Sequence, residues 1–158
     1  MRLSRKRENR MYGRILIATD GSELAGKAII HGISLAKQLN APVCIVTVTE
    51  AWSSSDLARA ARRGNQNPIA QYEEMATAAA SHILEGAAQV AKAAGVSCET
   101  VHIRDQHPAE GIVAAASDKA CDLIVMGGYG HSRMREFVLG GVTRSLLKSM
   151  TAPTLMAH

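Results

Sequence analysis

Hydrophobic positions along this chain alternate between strand-like and helix-like periods. Residues 14–19, Arg14-Ile15-Leu16-Ile17-Ala18-Thr19, form a largely apolar run closed by Asp20-Gly21-Ser22. Ser22 suits the N-cap of a helix in which Leu24, Ala28, Leu35 and Leu39 share one side, with Ala25, Ile29 and Ala36 beside them. Asn40-Ala41-Pro42 stops that helix, and Val43 to Thr49 is a second β-rich run. Residues 51–67 are polar and predict a connection, which Pro68 ends by opening a long helix. Its stripe is Tyr72, Met75, Ala79, Ile83, Ala87, Val90 and Ala94, with Gly95 as the stop. Cys98–Ile103 predicts a third strand, Pro108 a helix through Ile112, Val113 and Ala116, and Leu123–Met126 a fourth strand. Residues 141–150 predict a further helix and Pro153–Ala157 a short fifth strand.

Strict β-α alternation with aliphatic strands predicts an α/β fold: a single-domain, open, parallel five-stranded sheet with helices on both faces, Rossmann-like in plan. No internal repeat, linker or second domain interrupts it. In such sheets ligands bind beyond the carboxyl ends of the strands, where strand order reverses. Three loops therefore matter: Thr19-Asp20-Gly21-Ser22, Val48-Thr49-Glu50, and the segment after Met126.

The third loop carries the strongest chemical signal. Gly127-Gly128-Tyr129-Gly130 follows the apolar run Leu123-Ile124-Val125-Met126, and after nine intervening residues come Gly140-Gly141 and a helix-like segment. Glycines admit a ligand close to backbone N–H groups, and a helix start presents unpaired donors in a favourable dipole. The pattern is a cradle for phosphate. Asp20 suits either a ribose-hydroxyl acceptor or a turn and cap former, and spacing alone does not separate the two. Val48 and Met126 are positioned to sandwich an adenine or to sit in the core.

Composition narrows the partners. Apolar residues make up 47% of the 158 residues but aromatics only 3%, which gives little support to stacking-based binding of single-stranded nucleic acid. No apolar run approaches the ~20 residues that cross a bilayer, so no membrane partner is expected. The net charge of +4 resides in residues 1–10, where Arg2, Arg5, Lys6, Arg7 and Arg10 face Glu8 alone. That segment reads as a disordered basic extension ahead of a domain spanning 11–158, or as an upstream start with Met11 the true beginning; the other reading is a contact arm for nucleic acid or membrane. Cys44, Cys98 and Cys121 contain no Cys-x-x-Cys pair and read as small core residues in a reducing compartment, the cytoplasm. The six histidines show no metal-ligand spacing.

From Met11 onward the chain resembles the universal stress protein family. The resemblance rests on Ile15-Leu16-Ile17-Ala18-Thr19-Asp20-Gly21-Ser22, on Pro108-Ala109, and on Asp122-Leu123-Ile124-Val125-Met126-Gly127. The nucleotide-binding branch of that family carries Gly-x-x-Gly, nine residues, then Gly followed by Ser or Thr. Gly127, Gly130 and Gly140 match, whereas Gly141 stands where the hydroxyl residue belongs. The resemblance implies an adenine nucleotide alpha hydrolase-like sheet that binds ATP, or AMP or ADP, with Mg²⁺ bridging phosphate oxygens. It implies that Asp20 and Gly127 hold the ribose, while backbone at Val48, with Thr19 and Met126 nearby, frames the adenine, and Ala18 is a further nucleotide-binding residue. Gly130, Gly140, Gly141 and Val142 would offer amides to the phosphates, and no protein side chain would bind the metal. It further implies a homodimer through the terminal strand Pro153–Ala157, a short apolar edge of the kind that takes a partner.

Four neighbours of the cradle add detail. Thr143 lies two residues past Gly141 and offers a substitute hydroxyl. His131 and Arg133, with Arg135, read either as a phosphate clamp or as a solvated loop face. Catalysis finds no foothold: Gly130-His131-Ser132 is followed by Met134 where a nucleophile elbow needs glycine, and no P-loop is present. The expectation is a dimeric, nucleotide-binding stress-response regulator with little or no hydrolysis. The alternatives are a nucleotide-free dimeric module of the same fold, for which Gly141 speaks, and an adenylate-handling enzyme on a related fold.

Overall fold

The computed structural model describes residues 11–128 and 152–157. Its elements run β1 (Ile15–Ala18), α1 (Glu23–Leu39), β2 (Val43–Thr49), α2 (Ser54–Arg62), α3 (Pro68–Ala93), β3 (Cys98–Arg104), α4 (Pro108–Asp118), β4 (Leu123–Gly127) and β5 (Thr154–Ala157). The helix expected over 141–150 and the extension 1–10 lie outside the described residues.

All four pairings are parallel, in the order β3-β2-β1-β4-β5. The chain builds outward from β1 to β3 and then crosses back to β4 on the other side of β1. Strand order therefore reverses between β1 and β4, which defines the crevice where such sheets take ligands.

Alternate side chains of the strands enter two separate cores, as a sheet buried on both faces requires. Ile15, Ile17, Val43, Ile45, Leu123 and Val125 pack against α1 and α3 through Ala28, Ile29, Ile33, Leu84, Ala87 and Ala91. On the other face Leu16, Cys44, Val46, Ile124 and Met126 pack against Ala109, Ile112, Ala115 and Ala116 of α4. Helices thus cover both faces. The small residues on α1, α3 and α4 let the helices settle close to bulky β-branched strands.

Local signals explain the boundaries. Ser22 caps α1 by accepting from the Ala25 N–H at 3.2 Å, and Asn40 ends it in the left-handed region at φ 51°. An N-cap of this kind contributes about 1 kcal/mol.

Two expectations are corrected. Residues 51–67 are not an unstructured connection, because α2 occupies Ser54–Arg62 behind a capping box in which Ser53 and Asp56 each accept the other's backbone N–H. The core-facing side of α3 is Ala80, Leu84, Ala87 and Ala91, about one residue round from the expected stripe. Met75 and Val90 from that stripe are exposed.

Candidate nucleotide site at the strand-order switch

The loop after β1 is built by its own short side chains. Thr19 continues the sheet by donating its N–H to the Val46 carbonyl at 2.9 Å, and its buried hydroxyl accepts from the Gly21 N–H at 3.2 Å. Asp20 accepts the Ser22 N–H through Oδ1 at 2.9 Å, the Asx turn that its position allows. Gly21 has φ +80°, which supplies the reversal into α1. Asp20 is exposed, and a carboxylate with one oxygen committed to Ser22 keeps a second for another donor. Turn former and ligand acceptor are therefore compatible roles for this residue.

β4 ends against the same helix start. A Cβ placed on Gly127 would lie 3.2 Å from the Ala25 nitrogen and 3.2 Å from the Leu24 carbonyl carbon. Glycine there lets β4 and the α1 N-terminus approach, whatever else its backbone does. Beyond it, the Gly128 N–H donates to the Ala157 carbonyl at 2.7 Å and ties the loop's first residue to β5.

The apolar wall lies on the α4 face. Ala18 and Met126 are buried in one cluster there, and half-buried Val48 packs against it. Val48 is held from below by Gly111 of α4, whose absent side chain leaves room for it: a Cβ would stand 3.1 Å from Val48 Cγ1. The fold thus brings Ala18, Val48 and Met126 together, with Thr19, Asp20 and Gly127 at the adjoining strand ends. Gly130, His131, Arg133, Gly140, Gly141, Val142 and Thr143 lie outside the described residues.

A second group at the carboxyl ends of β2 and β3 was not foreseen from the sequence. Thr49 Oγ1 and His102 Nε2 are 2.9 Å apart, and the Tyr72 hydroxyl donates to the Glu50 carbonyl at 3.1 Å. Together with Arg104 and Asp105 they line a cleft of about 90 Å³. Burial, and then the nearby Arg104 charge, hold His102 below its ordinary pKa. The polar Thr49 and Thr47 on alternate positions of β2 were the available signal, but Tyr72 reaches them only through the placement of α3.

Among the described residues no group of three or more His, Cys, Asp or Glu side chains is arranged to hold a metal ion. Among them, no helix is long and apolar enough to cross a membrane.

This sheet, with its crevice between β1 and β4, defines a Rossmann-like α/β protein. The family model for the universal stress protein family matches residues 11–158, and the chain belongs to that family. It is 30% identical over 149 residues to universal stress protein YxiE of Bacillus subtilis, covering 94% of this chain and all of that one. A universal stress protein of Methanocaldococcus jannaschii is 30% identical over 146 residues, covering 92% of this chain and 82% of its own. Among solved structures, a universal stress protein in complex with cAMP superposes with a TM-score of 0.68 at 24% identity, over 93% of this chain and 97% of its own. One from Archaeoglobus fulgidus in complex with dAMP gives 0.63 at 18% identity, over 93% and 98%. An Arabidopsis thaliana family protein with AMP bound gives 0.60 at 15%, over 92% and 90%.

Proposed function

We propose that this chain binds an adenine nucleotide, ATP with Mg²⁺ in the first place, at the crevice between β1 and β4, and acts as a dimeric stress-response regulator with little or no hydrolysis. The observation that carries the reading is the placing, at the strand-order reversal, of exposed Asp20 after β1, Gly127 at the end of β4 and the Ala18–Val48–Met126 wall. Similar proteins of this fold holding cAMP, dAMP and AMP support it. In this reading Asp20 accepts from the ribose hydroxyls and the apolar wall takes the adenine. Amides at Gly130, Gly140, Gly141 and Val142 would serve the phosphates, with His131, Arg133 and Thr143 as further candidate contacts. Mg²⁺ would accompany the nucleotide and offset the charge of its phosphates, and no protein side chain is assigned to hold it.

Gly141 is the one departure from the expected pattern. A hydroxyl donating to a charged phosphate is worth about 1.5–3 kcal/mol, on the order of 10- to 100-fold in affinity. Calorimetric titration of Mg-ATP into the full chain should show saturable binding, and Gly141→Ser should tighten it by about tenfold or more. Heat in neither protein would sink the proposal and leave a nucleotide-free module.

The dimer is proposed through β5. Among the described residues this four-residue strand pairs only with β4 and ends the sheet, with Leu155 40% exposed. An apolar edge of this kind accepts another strand. Sedimentation should give a dimer at micromolar concentration and a monomer for Leu155→Lys; a wild-type monomer would overturn this assignment.

A further inference from the structure

α2 has no buried residue, yet its end is built in detail. Gly64 takes φ +75° and closes the helix. Its N–H donates to the Ala61 carbonyl at 3.0 Å, while the Asn65 N–H reaches back to the Ala60 carbonyl at 3.2 Å. This paired closure is a Schellman motif, and it fixes the turn that leads into α3. Asn65 anchors that turn. Its Oδ1 accepts the Asn67 N–H at 3.1 Å, and its Nδ2 donates to Gln71 Oε1 on α3 at 2.6 Å.

The end of α2, this turn and the start of α3 enclose an open cleft of about 720 Å³. Its lining is polar and rich in donors. Arg59 and Arg63 stand four residues apart, a spacing that puts them on one side of the helix end, and both line the cleft. Neither forms an ion pair among the described residues. Gln71 brings an amide whose oxygen is taken by Asn65, which leaves its nitrogen to donate. Asn67 lines the same cleft, and its side chain makes no capping bond to α3. The one acid in the lining is Asp56, whose Oδ2 already accepts from the Ser53 N–H at 3.2 Å and the Ser53 hydroxyl at 2.6 Å.

Like charges at this spacing weaken the helix that carries them. A basic residue in a last turn suits the helix dipole, which accounts for a cation at the end of α2. It does not account for two unpaired arginines beside a cleft furnished with amide donors. That arrangement is complementary to an anion with several oxygens, and the planar guanidinium matches phosphate with parallel N–H donors. The cleft is too wide for a lone phosphate, and its lining is too polar for an apolar ligand.

We propose that the cleft between α2 and α3 is a second anion site, separate from the β1–β4 crevice, which binds a small molecule carrying two or more linked phosphates. Arg59 and Arg63 clamp the phosphates, and the Gln71 and Asn67 amides hold the remaining oxygens. Because α2 buries none of its residues, a ligand bridging its arginines to Gln71 adds a tether between α2 and α3.

The test uses the full chain, isotopically labelled, and inorganic tripolyphosphate, a probe with neither base nor ribose. NMR titration at low salt should move the backbone amides of 59–71 together with the Arg59, Arg63 and Gln71 side-chain signals. Amide hydrogen exchange across 54–62 should slow, and added salt should weaken the binding. Arg59→Gln and Arg63→Gln should each weaken it on the order of five- to tenfold. Their thermal midpoints should stay at the wild-type value, since both side chains are exposed. Shifts confined to 127–142 would overturn the proposal and favour the crevice as the phosphate site. Shifts at 59–71 would stand even if Mg-ATP failed to bind at the crevice, so the two readings fail separately. A short oligoglutamate peptide that binds as tightly at 59–71 would overturn the assignment to phosphate, and signals unmoved throughout would overturn the site. The wild-type titration decides the location even where a variant fails to fold.

Discussion

Ile124→Ala is expected to lower folding stability by about 2–5 kcal/mol, read as a reduced denaturation midpoint with an unchanged slope. Ile124 is fully buried on β4, in register with Leu16 of β1 on one side and Thr154 of β5 on the other. Its side chain enters the α4-face core alongside Met126 and Ile112. Truncation removes three carbons from a site that strands on both sides hold in place. The surroundings cannot collapse inward without breaking the register, so the lost transfer energy and the cavity term both count. The strand affected is the one that delivers Met126 and Gly127 to the crevice. A loss below about 1 kcal/mol would mean that this face relaxes freely and is a poor platform for a ligand.

The legibility of the fold followed burial. Strands such as Leu123–Met126 read plainly because both faces are covered and the run is continuously apolar. α2 did not, because none of its residues is buried and so no apolar stripe marks it. The capping box at Ser53 and Asp56 was the readable signal, and it is a local one. On α3 the largest apolar side chains misdirected the choice of face. The core takes alanines there, Ala80, Ala87 and Ala91 with Leu84, while the bulkier Met75 stays outside. An alanine-rich contact face gives a weak periodic signal, so bulk and burial part company.

The candidate site divides the same way. Asp20, Gly127 and Met126 were visible because strand ends followed by glycine turns are sequence-local features. The convergence of Thr49, His102 and Tyr72 was not, since it needs three elements placed together. The shared burial of Cys44 and Cys121 in the α4-face core likewise depends on α4 crossing the sheet face, which no spacing between the two residues encodes. Gly111 belongs with these: its value lies in the room it leaves for Val48.

Asp20 offers the sharpest separation of fold from ligand. Asp20→Asn retains a side-chain oxygen that can accept the Ser22 N–H, so the Asx turn and the capped start of α1 should survive with a stability change within about 0.5 kcal/mol. What it loses is the charge and one acceptor, which an amide nitrogen replaces with a donor. Hydrogen bonds from ribose hydroxyls to a carboxylate are charge-assisted, so Mg-ATP affinity should fall on the order of 10- to 100-fold. Asp20→Ala removes the turn acceptor as well and should lower both affinity and stability. The two variants thus distinguish a residue that only shapes the loop from one that also meets the nucleotide. Calorimetry and thermal denaturation on the same samples provide the comparison. If Asn binds as tightly as Asp while Ala alone is impaired, Asp20 is a turn former and the ribose is held elsewhere in the crevice. If Asn loses affinity at unchanged stability, the exposed carboxylate at the end of β1 is a ligand contact, and the strand-order switch is where the nucleotide sits.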